Sequence, residues 1–369
     1  MKFPLRPALV VAFTQVTFGQ SATLFPKDAS RLDFETDAIF SDDIDVVSSS
    51  LSFEQTRGSW NFSGSFGHIH HRVDYAPPRI GAEPTSFRQE DTQLYDFGIE
   101  KTINPYLTLT ASASYSQGFT DHRSIWISEF YDTSFLGVPG YEEADPSSFS
   151  GSIGAVWNYR PGVGSVSLSL SQSNAEIVPG WAIEFDPAVG VQELISSADE
   201  VGTFSGSLVW NTTFAKRFRS QQTLRIGRTD GRRILTQVQS EFAYAISDKL
   251  TARLQLGGAH EDPTFIARFG GLGLVYDITP QWQLNFNFRY YEDTGEVSST
   301  AFTPSAPAIA SREYSAGLRW SNGVTSVLAS AGFYQTDYDS VEGSGNRDFR
   351  NLYQDRDFVA SRFAITHRF

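Results

Sequence analysis

The feature that most constrains this chain is a strict two-residue alternation of apolar and polar side chains, sustained over ten or more positions. Trp282, Leu284, Phe286, Phe288 and Tyr290 alternate with Gln281, Gln283, Asn285, Asn287 and Arg289. Leu107, Leu109, Ala111, Ala113 and Tyr115 alternate with Thr108, Thr110, Ser112, Ser114 and Ser116, and Leu250, Ala252, Leu254 and Leu256 with Thr251, Arg253, Gln255 and Gly257. A period of two gives a strand one apolar and one polar face, whereas a helix needs spacings of three and four. The sequence offers no convincing amphipathic helix.

The alternation predicts sixteen strands, at 31–40, 46–56, 59–73, 92–103, 106–119, 149–160, 163–177, 200–214, 217–229, 232–246, 249–261, 265–277, 281–293, 311–321, 323–337 and 356–369. Soluble strands cluster near five or six residues. A strand tilted across an apolar band of about 25 Å needs roughly 10. Short turns at Arg57-Gly58-Ser59, Asn104-Pro105, Arg160-Pro161-Gly162, Ala215-Lys216, Ser247-Asp248-Lys249, Thr279-Pro280 and Ser321-Asn322-Gly323 carry the chemistry of tight reversals. Between them lie longer or more polar connections at 74–91, 120–148, 178–199, 294–310 and 338–355, with shorter ones near 41–45, 230–231 and 262–264. Short turns on one side and longer loops on the other describe an all-β, closed antiparallel transmembrane barrel. An even count follows if both chain ends lie on the short-turn side. Losing the first strand and the break at Thr229–Arg232 would leave fourteen strands.

Composition agrees. Charged residues are 19% and hydrophobics 40%, with 14% aromatics, as a wall apolar on one face and wet on the other requires. No run approaches the roughly 18 apolar residues of a membrane-spanning helix. Zero cysteines exclude disulfides, thiolate nucleophiles and zinc–cysteine sites. A net charge of −13 argues against nucleic acid, which needs a clustered basic surface. Lys2 and Arg6, the apolar stretch Ala8–Phe13, and Gly19, Ser21 and Ala22 read as a signal peptide over 1–22, leaving a barrel over 23–369. A buried first strand is the alternative there, disfavoured by Pro4 and Pro7. Too few residues precede the first strand for the plug domain of an active-transport receptor.

Val359, Phe363, Ile365 and Phe369 share one face of the last strand, and Phe369 is the final residue. This resembles the terminal strand of bacterial outer-membrane β-barrels, where a closing Phe is read by the barrel-assembly machinery. His367 stands where an aromatic is more usual. In layout the chain resembles a porin, without the signature of a characterised porin family. The resemblance implies an outer-membrane location, outer-membrane lipid and the assembly machinery as partners, and a homo-oligomer as an option.

With the apolar face on lipid, the polar face lines a lumen. The early strands contribute Asp33, Glu35, Asp37, Glu54, Asp96, Glu100 and many serines. The later ones contribute Arg219, Arg225, Arg233, Glu241, Arg253, Arg289, Arg319 and Arg362. Arg225, Arg253, Arg289, Arg362, Glu35, Asp96 and Glu241 are the candidate pore lining, with acid and arginine segregated so as to set up a transverse field. The alternative is a lumen filled by ion pairs. The longest connection, 120–148, carries Asp121, Glu129, Asp132, Glu142, Glu143 and Asp145 against Arg123, and more apolar residues than a solvated loop needs. In general porins the third loop folds inward and its acids face wall arginines. This loop resembles that one in position and charge but lacks its Pro-Glu-Phe-Gly-Gly signature, and lying over the mouth is the alternative. The loop 178–199 adds Glu184, Asp186, Glu193 and Asp199 with no base.

His68 and His70 share a face and could ligate a metal if a neighbouring strand gave a third ligand. None is evident, and the outer interface is the expected place for them. No catalytic constellation, cofactor fingerprint or metal site stands out. The function expected is a porin-like channel for passive diffusion of small hydrophilic solutes. A barrel whose external loops bind a partner or the envelope is the second reading. A surface lipid hydrolase or protease is the third, and a secreted soluble β-protein the main alternative fold.

Overall fold

Each alternating segment buries nothing alone, because its polar and apolar faces both need partners; pairing edge to edge until no edge remains resolves this. The computed structural model describes residues 29–73, 87–135, 145–176, 180–186, 191–197, 200–215, 217–230, 233–261, 265–295, 307–339 and 353–369. The expected signal peptide, 1–22, lies outside them. The elements in order are β1 (Ala29–Phe40), β2 (Ile44–Arg57), β3 (Trp60–Val73), β4 (Arg88–Asn104), β5 (Leu107–Gln117), α1 (His122–Phe135), β6 (Ser147–Arg160) and β7 (Gly164–Glu176). There follow β8 (Gly180–Asp186), β9 (Val191–Ser197), β10 (Glu200–Phe214), β11 (Phe218–Thr229), β12 (Ile234–Ala245), β13 (Leu250–Glu261) and β14 (Phe265–Asp277). The chain ends on β15 (Trp282–Asp293), β16 (Ile309–Ser321), β17 (Thr325–Tyr338) and β18 (Arg356–Arg368).

Sixteen of these strands form a closed antiparallel barrel, each beside its sequence neighbour, with β18 sealing onto β1. The seam runs from Arg31 opposite Arg368 to Phe40 opposite Val359, and the backbone N–H of Phe369 donates to the Ser30 carbonyl at 2.8 Å. The two members whose loss would have left fourteen, the first strand and the break before β12, are both present. β7 pairs directly with β10, because β8 and β9 form a separate two-stranded sheet. These two strands lie within the connection expected over 178–199, and α1 corrects the expectation of no helix. The short turns all lie at one end of the barrel, the turn end. At one of them Gly323, with φ of 92°, follows Asn322, whose Oδ1 accepts from the Val324 and Thr325 amides at 3.0 and 2.7 Å.

The outer face shows where the apolar band lies. Phe53, Phe97, Ile153, Leu168, Leu208, Leu272 and Phe286 are exposed on it. Toward the turn end it is ringed by Trp60, Trp157, Trp210, Trp282 and Trp320, five of the chain's seven tryptophans. Indole rings settle where apolar and wet surfaces meet. Lys101 Nζ sits 4.2 Å over the Trp60 ring and Trp210 Nε1 donates to Tyr159 at 3.0 Å.

Toward the opposite, loop end the pattern inverts. On β3 the outward row passes from Phe62 and Phe66 to His68, His70 and Arg72, while the inward row passes from Ser63 and Ser65 to Ile69, His71 and Val73, all three buried. On β14 outward Leu274 and Leu272 give way to Arg268, and inward Gly273 and Gly271 to Phe269, Ala267 and Phe265. On β18 outward Phe363 and Val359 give way to Asp357, and inward Arg362 to Ala360 and Phe358. Outward charges pair with each other there: Arg268 with Glu292 at 3.7 Å and Arg312 with Asp337 at 3.4 Å. The loop end is therefore polar outside, and its buried interior mixes apolar side chains with paired polar ones such as Asp121, Arg123 and Arg356.

Candidate functional site: the barrel interior

Part of the inner wall of the turn-end half is built from short side chains. On β5, β6, β7 and β10 serines face one another across the ladder, with Ser112–Ser152 at 2.7 Å, Ser114–Ser150 at 2.5 Å and Ser171–Ser205 at 2.7 Å. Each hydroxyl both donates and accepts, so neighbouring strands satisfy each other without projecting far. A sheet of sixteen strands closes wide enough to leave an aqueous interior. A recess of about 330 Å³ lies over β1 to β5, with Arg31, Asp33, Glu54, Ser65, Asp96 and Ser114 in its wall.

The pore-lining candidates fall on this inner face. Asp96 accepts from Ser65 at 2.7 Å. Arg362 Nη2 meets Glu35 at 2.7 Å and its Nε lies 3.7 Å from Asp37, across the β18–β1 seam. Arg289 lies 3.4 Å from Glu313 on the adjacent strand. Glu241 accepts from Gln239 at 2.5 Å and from Gln255 at 3.4 Å. Arg225 stands opposite Ser207 and Gln237, and Arg253 opposite Ala243 and Gly273. Arg362 and Arg289 thus have carboxylates beside them on the wall. Sequence reasoning missed Glu313, 3% exposed; its cue was a lone acid at an inward position on a strand beside an inward arginine.

The loop acids take up other partners. Gly118, with φ of 101°, turns the chain off β5; a Cβ there would lie 2.6 Å from the Asp91 carbonyl. Asp121 then starts α1, its carboxylate accepting from the Arg123 amide at 3.0 Å and its carbonyl from Ser124 at 3.1 Å. Asp121 and Arg123 are both 3% exposed and form a close ion pair. Ile125, Trp126 and Ser128 are at most 1% exposed. Glu129 and Asp132 converge on Arg88 Nη1 of β4 at 3.2 and 2.5 Å, and Glu90 holds the same guanidinium at 2.7 Å. Asp121 thus pairs with Arg123, and Glu129 and Asp132 pair with Arg88. Asp145 is exposed, and Glu142 and Glu143 lie outside the described residues.

α1 packs against β3 and β4, and inward side chains are buried on both sides of the loop end. Ile44, Ile69, His71, Val73 and Phe119 are buried on one side, and Phe265, Phe269, Ile309, Tyr353 and Phe358 on the other. Arg356 clamps this region by gripping both oxygens of Asp43, from the β1–β2 connection, at 3.0 and 3.1 Å. Burial alone would raise the Asp121 carboxyl, yet Arg123 and His122 hold it well below the usual carboxylate range. Burial pushes His122 down to about 4.

On the outer surface, Asp91 of β4 faces His68 and His70, its Oδ1 at 3.3 and 2.8 Å from their ring nitrogens. The neighbouring strand thus supplies an acid the sequence did not reveal. Among the described residues no group of three or more such side chains is arranged to hold a metal ion.

No family model matches the chain, and no curated protein matches it in sequence. Solved structures do resemble it. CdiB from Acinetobacter baumannii is 11% identical with a TM-score of 0.53, covering 92% of this chain and 60% of that one. A bacterial polysaccharide outer membrane secretin is 11% identical with a TM-score of 0.48, covering 92% and 98%. The toluene transporter TodX from Pseudomonas putida is 10% identical with a TM-score of 0.46, covering 93% and 90%. The first of these shares the fold and nothing finer; the others, below 0.5, add nothing to it. In fold, this chain is a closed, sixteen-stranded antiparallel β-barrel.

Proposed function

We propose that the protein is an outer-membrane channel for small hydrophilic solutes. The observation that carries this reading is the turn-end interior, whose wall of serines, glycines and local ion pairs leaves space lined with hydrogen-bonding groups. A barrel that only displayed loops would gain stability by filling that space with large side chains, as the loop end does. Outer-membrane lipid around the band and recognition of Phe369 by the assembly machinery belong to the same reading. A second reading, a barrel that conducts little and presents its loops, is favoured by the buried core around α1.

Reconstitution in a planar bilayer separates the two. The channel reading expects discrete conductance steps and a reversal potential in a salt gradient. Replacing Arg225 by Glu should shift the preference toward cations. The shift should shrink as salt rises, because the Debye length falls from about 10 Å at 0.1 M to about 3 Å at 1 M. Arg225 is the cleaner probe than Arg289, since a carboxylate at 289 would face Glu313. Silence at every pH and voltage would leave the loop-display reading.

A further inference from the structure

Two histidines are buried where α1 enters the barrel. His71, on the inner face of β3, is 1% exposed, and its Nδ1 has no hydrogen-bond partner among the described residues. His122 opens α1, with its Nδ1 3.5 Å from Asp121 and its side chain 13% exposed. The charges around them come from several elements. α1 and its cap bring Asp121 and Arg123; the β1–β2 connection brings Asp43; β18 brings Arg356. Tyr338 of β17 and Tyr353 flank Arg123, and His70 and Asp91 act on His71 from the outer side of the wall.

The charge count is balanced only while both imidazoles are neutral. Asp121 offsets Arg123 and Asp43 offsets Arg356. Glu129 and Asp132, further along α1, are held by Arg88, and Asp91 is 62% exposed on the outer face beside His68 and His70. No buried acid next to the two imidazoles is therefore left over for an imidazolium. Burying an uncompensated charge in such a place is strongly unfavourable. We infer that α1 is a plug released by acid: protons on His71 and His122 place two extra positive charges beside Arg123 and Arg356, and the helix leaves its seat.

The direction follows from proton linkage. Seated, His122 is held to about 4 by burial; released into water, it would titrate near 6.5. The released state therefore binds more protons between those values. The seat is at full strength above about 6.5 and is lost as pH falls toward about 4. For His122 alone this linkage favours release roughly fifty-fold at pH 4.5 relative to pH 7. The inference concerns the closure, and it stands whether or not the barrel conducts.

The absence of cysteine makes the test direct. Ser128→Cys places a thiol at a position of α1 that is 0% exposed, and Asp248→Cys places a control thiol at an exposed turn-end position. Each variant, folded in lipid vesicles, reacts with 4,4′-dithiodipyridine, which stays reactive toward thiols in mild acid. The rate for Ser128→Cys, divided by the rate for Asp248→Cys, should rise at least tenfold from pH 7 to pH 4.5. His122→Gln should remove most of the rise, and His71→Gln with His122→Gln all of it. Heat-modifiable gel mobility confirms that each variant is folded; if the double variant is not, His122→Gln alone decides. Three results would each overturn the inference. The helix thiol of Ser128→Cys could stay unreactive at pH 4.5, could react as fast as the control thiol at pH 7, or could show the same rise with glutamine in place of His122. Reagent entry at pH 4.5 in a barrel that carries no current would instead end the channel reading and leave this one standing.

Discussion

On β14, Leu272 and Leu274 face outward above inward Gly271 and Gly273, while a few residues closer to the loops Arg268 faces outward and Phe265, Ala267 and Phe269 face inward. One strand, with unbroken register, obeys two opposite rules. In the turn-end half the surroundings are apolar and the interior is wet; in the loop-end half the surroundings are wet and the interior is buried. The comparison teaches that strand alternation is set by the medium on each side at each height.

The contrast is broken most severely from within. Phe269 is 7% exposed, and its ring occupies the space over Gly257, where a Cβ would lie 2.3 Å from it. Phe269→Ala should cost about 3–5 kcal/mol of stability, measured by denaturant unfolding from lipid vesicles. Ser169→Ala, inward in the other half, should change stability by less than about 0.5 kcal/mol. Equal costs would mean that the two interiors are packed alike.

The outer face gives a smaller contrast of the same kind. Arginine in place of Leu272, in the middle of the apolar band, should cost about 2–4 kcal/mol, and arginine in place of Ile266, beside Arg268, about 0–1. Both are read from unfolding midpoints in vesicles of one composition. A large penalty at Ile266 would place the lipid boundary higher than the inversion does.

Much of the fold was legible in the sequence. Strand identity, the sixteen-fold count and the turn positions all follow from a period of two, punctuated by turn residues such as Asn104-Pro105 and Asn322-Gly323. The inversion was harder to see. Phe265-Ile266-Ala267-Arg268-Phe269 keeps the same period while exchanging faces, and a period does not say which medium lies on which side. α1 escaped because its apolar residues, such as Ile125 and Trp126, are spread without a helical stripe. What showed was the surplus of apolar side chains in 120–148, which called for a surface to pack on. β8 and β9 escaped because seven-residue strands are short beside the spanning ones. The arginines of the interior were legible as inward residues, whereas their partners, Glu313 beside Arg289 and Arg88 for Glu129 and Asp132, depend on strand register that no single segment encodes.

The central claim, a wet half and a closed half in one barrel, is tested most directly by a pair of inward cysteines in the otherwise cysteine-free chain. Ser112 is exposed on the inner wall of β5, and Ser311 is 5% exposed on the inner wall of β16 at the loop end. In lipid vesicles at pH 7, a membrane-impermeant thiol reagent present on both sides should label Ser112→Cys rapidly and Ser311→Cys at least tenfold more slowly. Comparable labelling at both positions would show a lumen open through the loop end, and silence at both would show a filled barrel; either result contradicts the account.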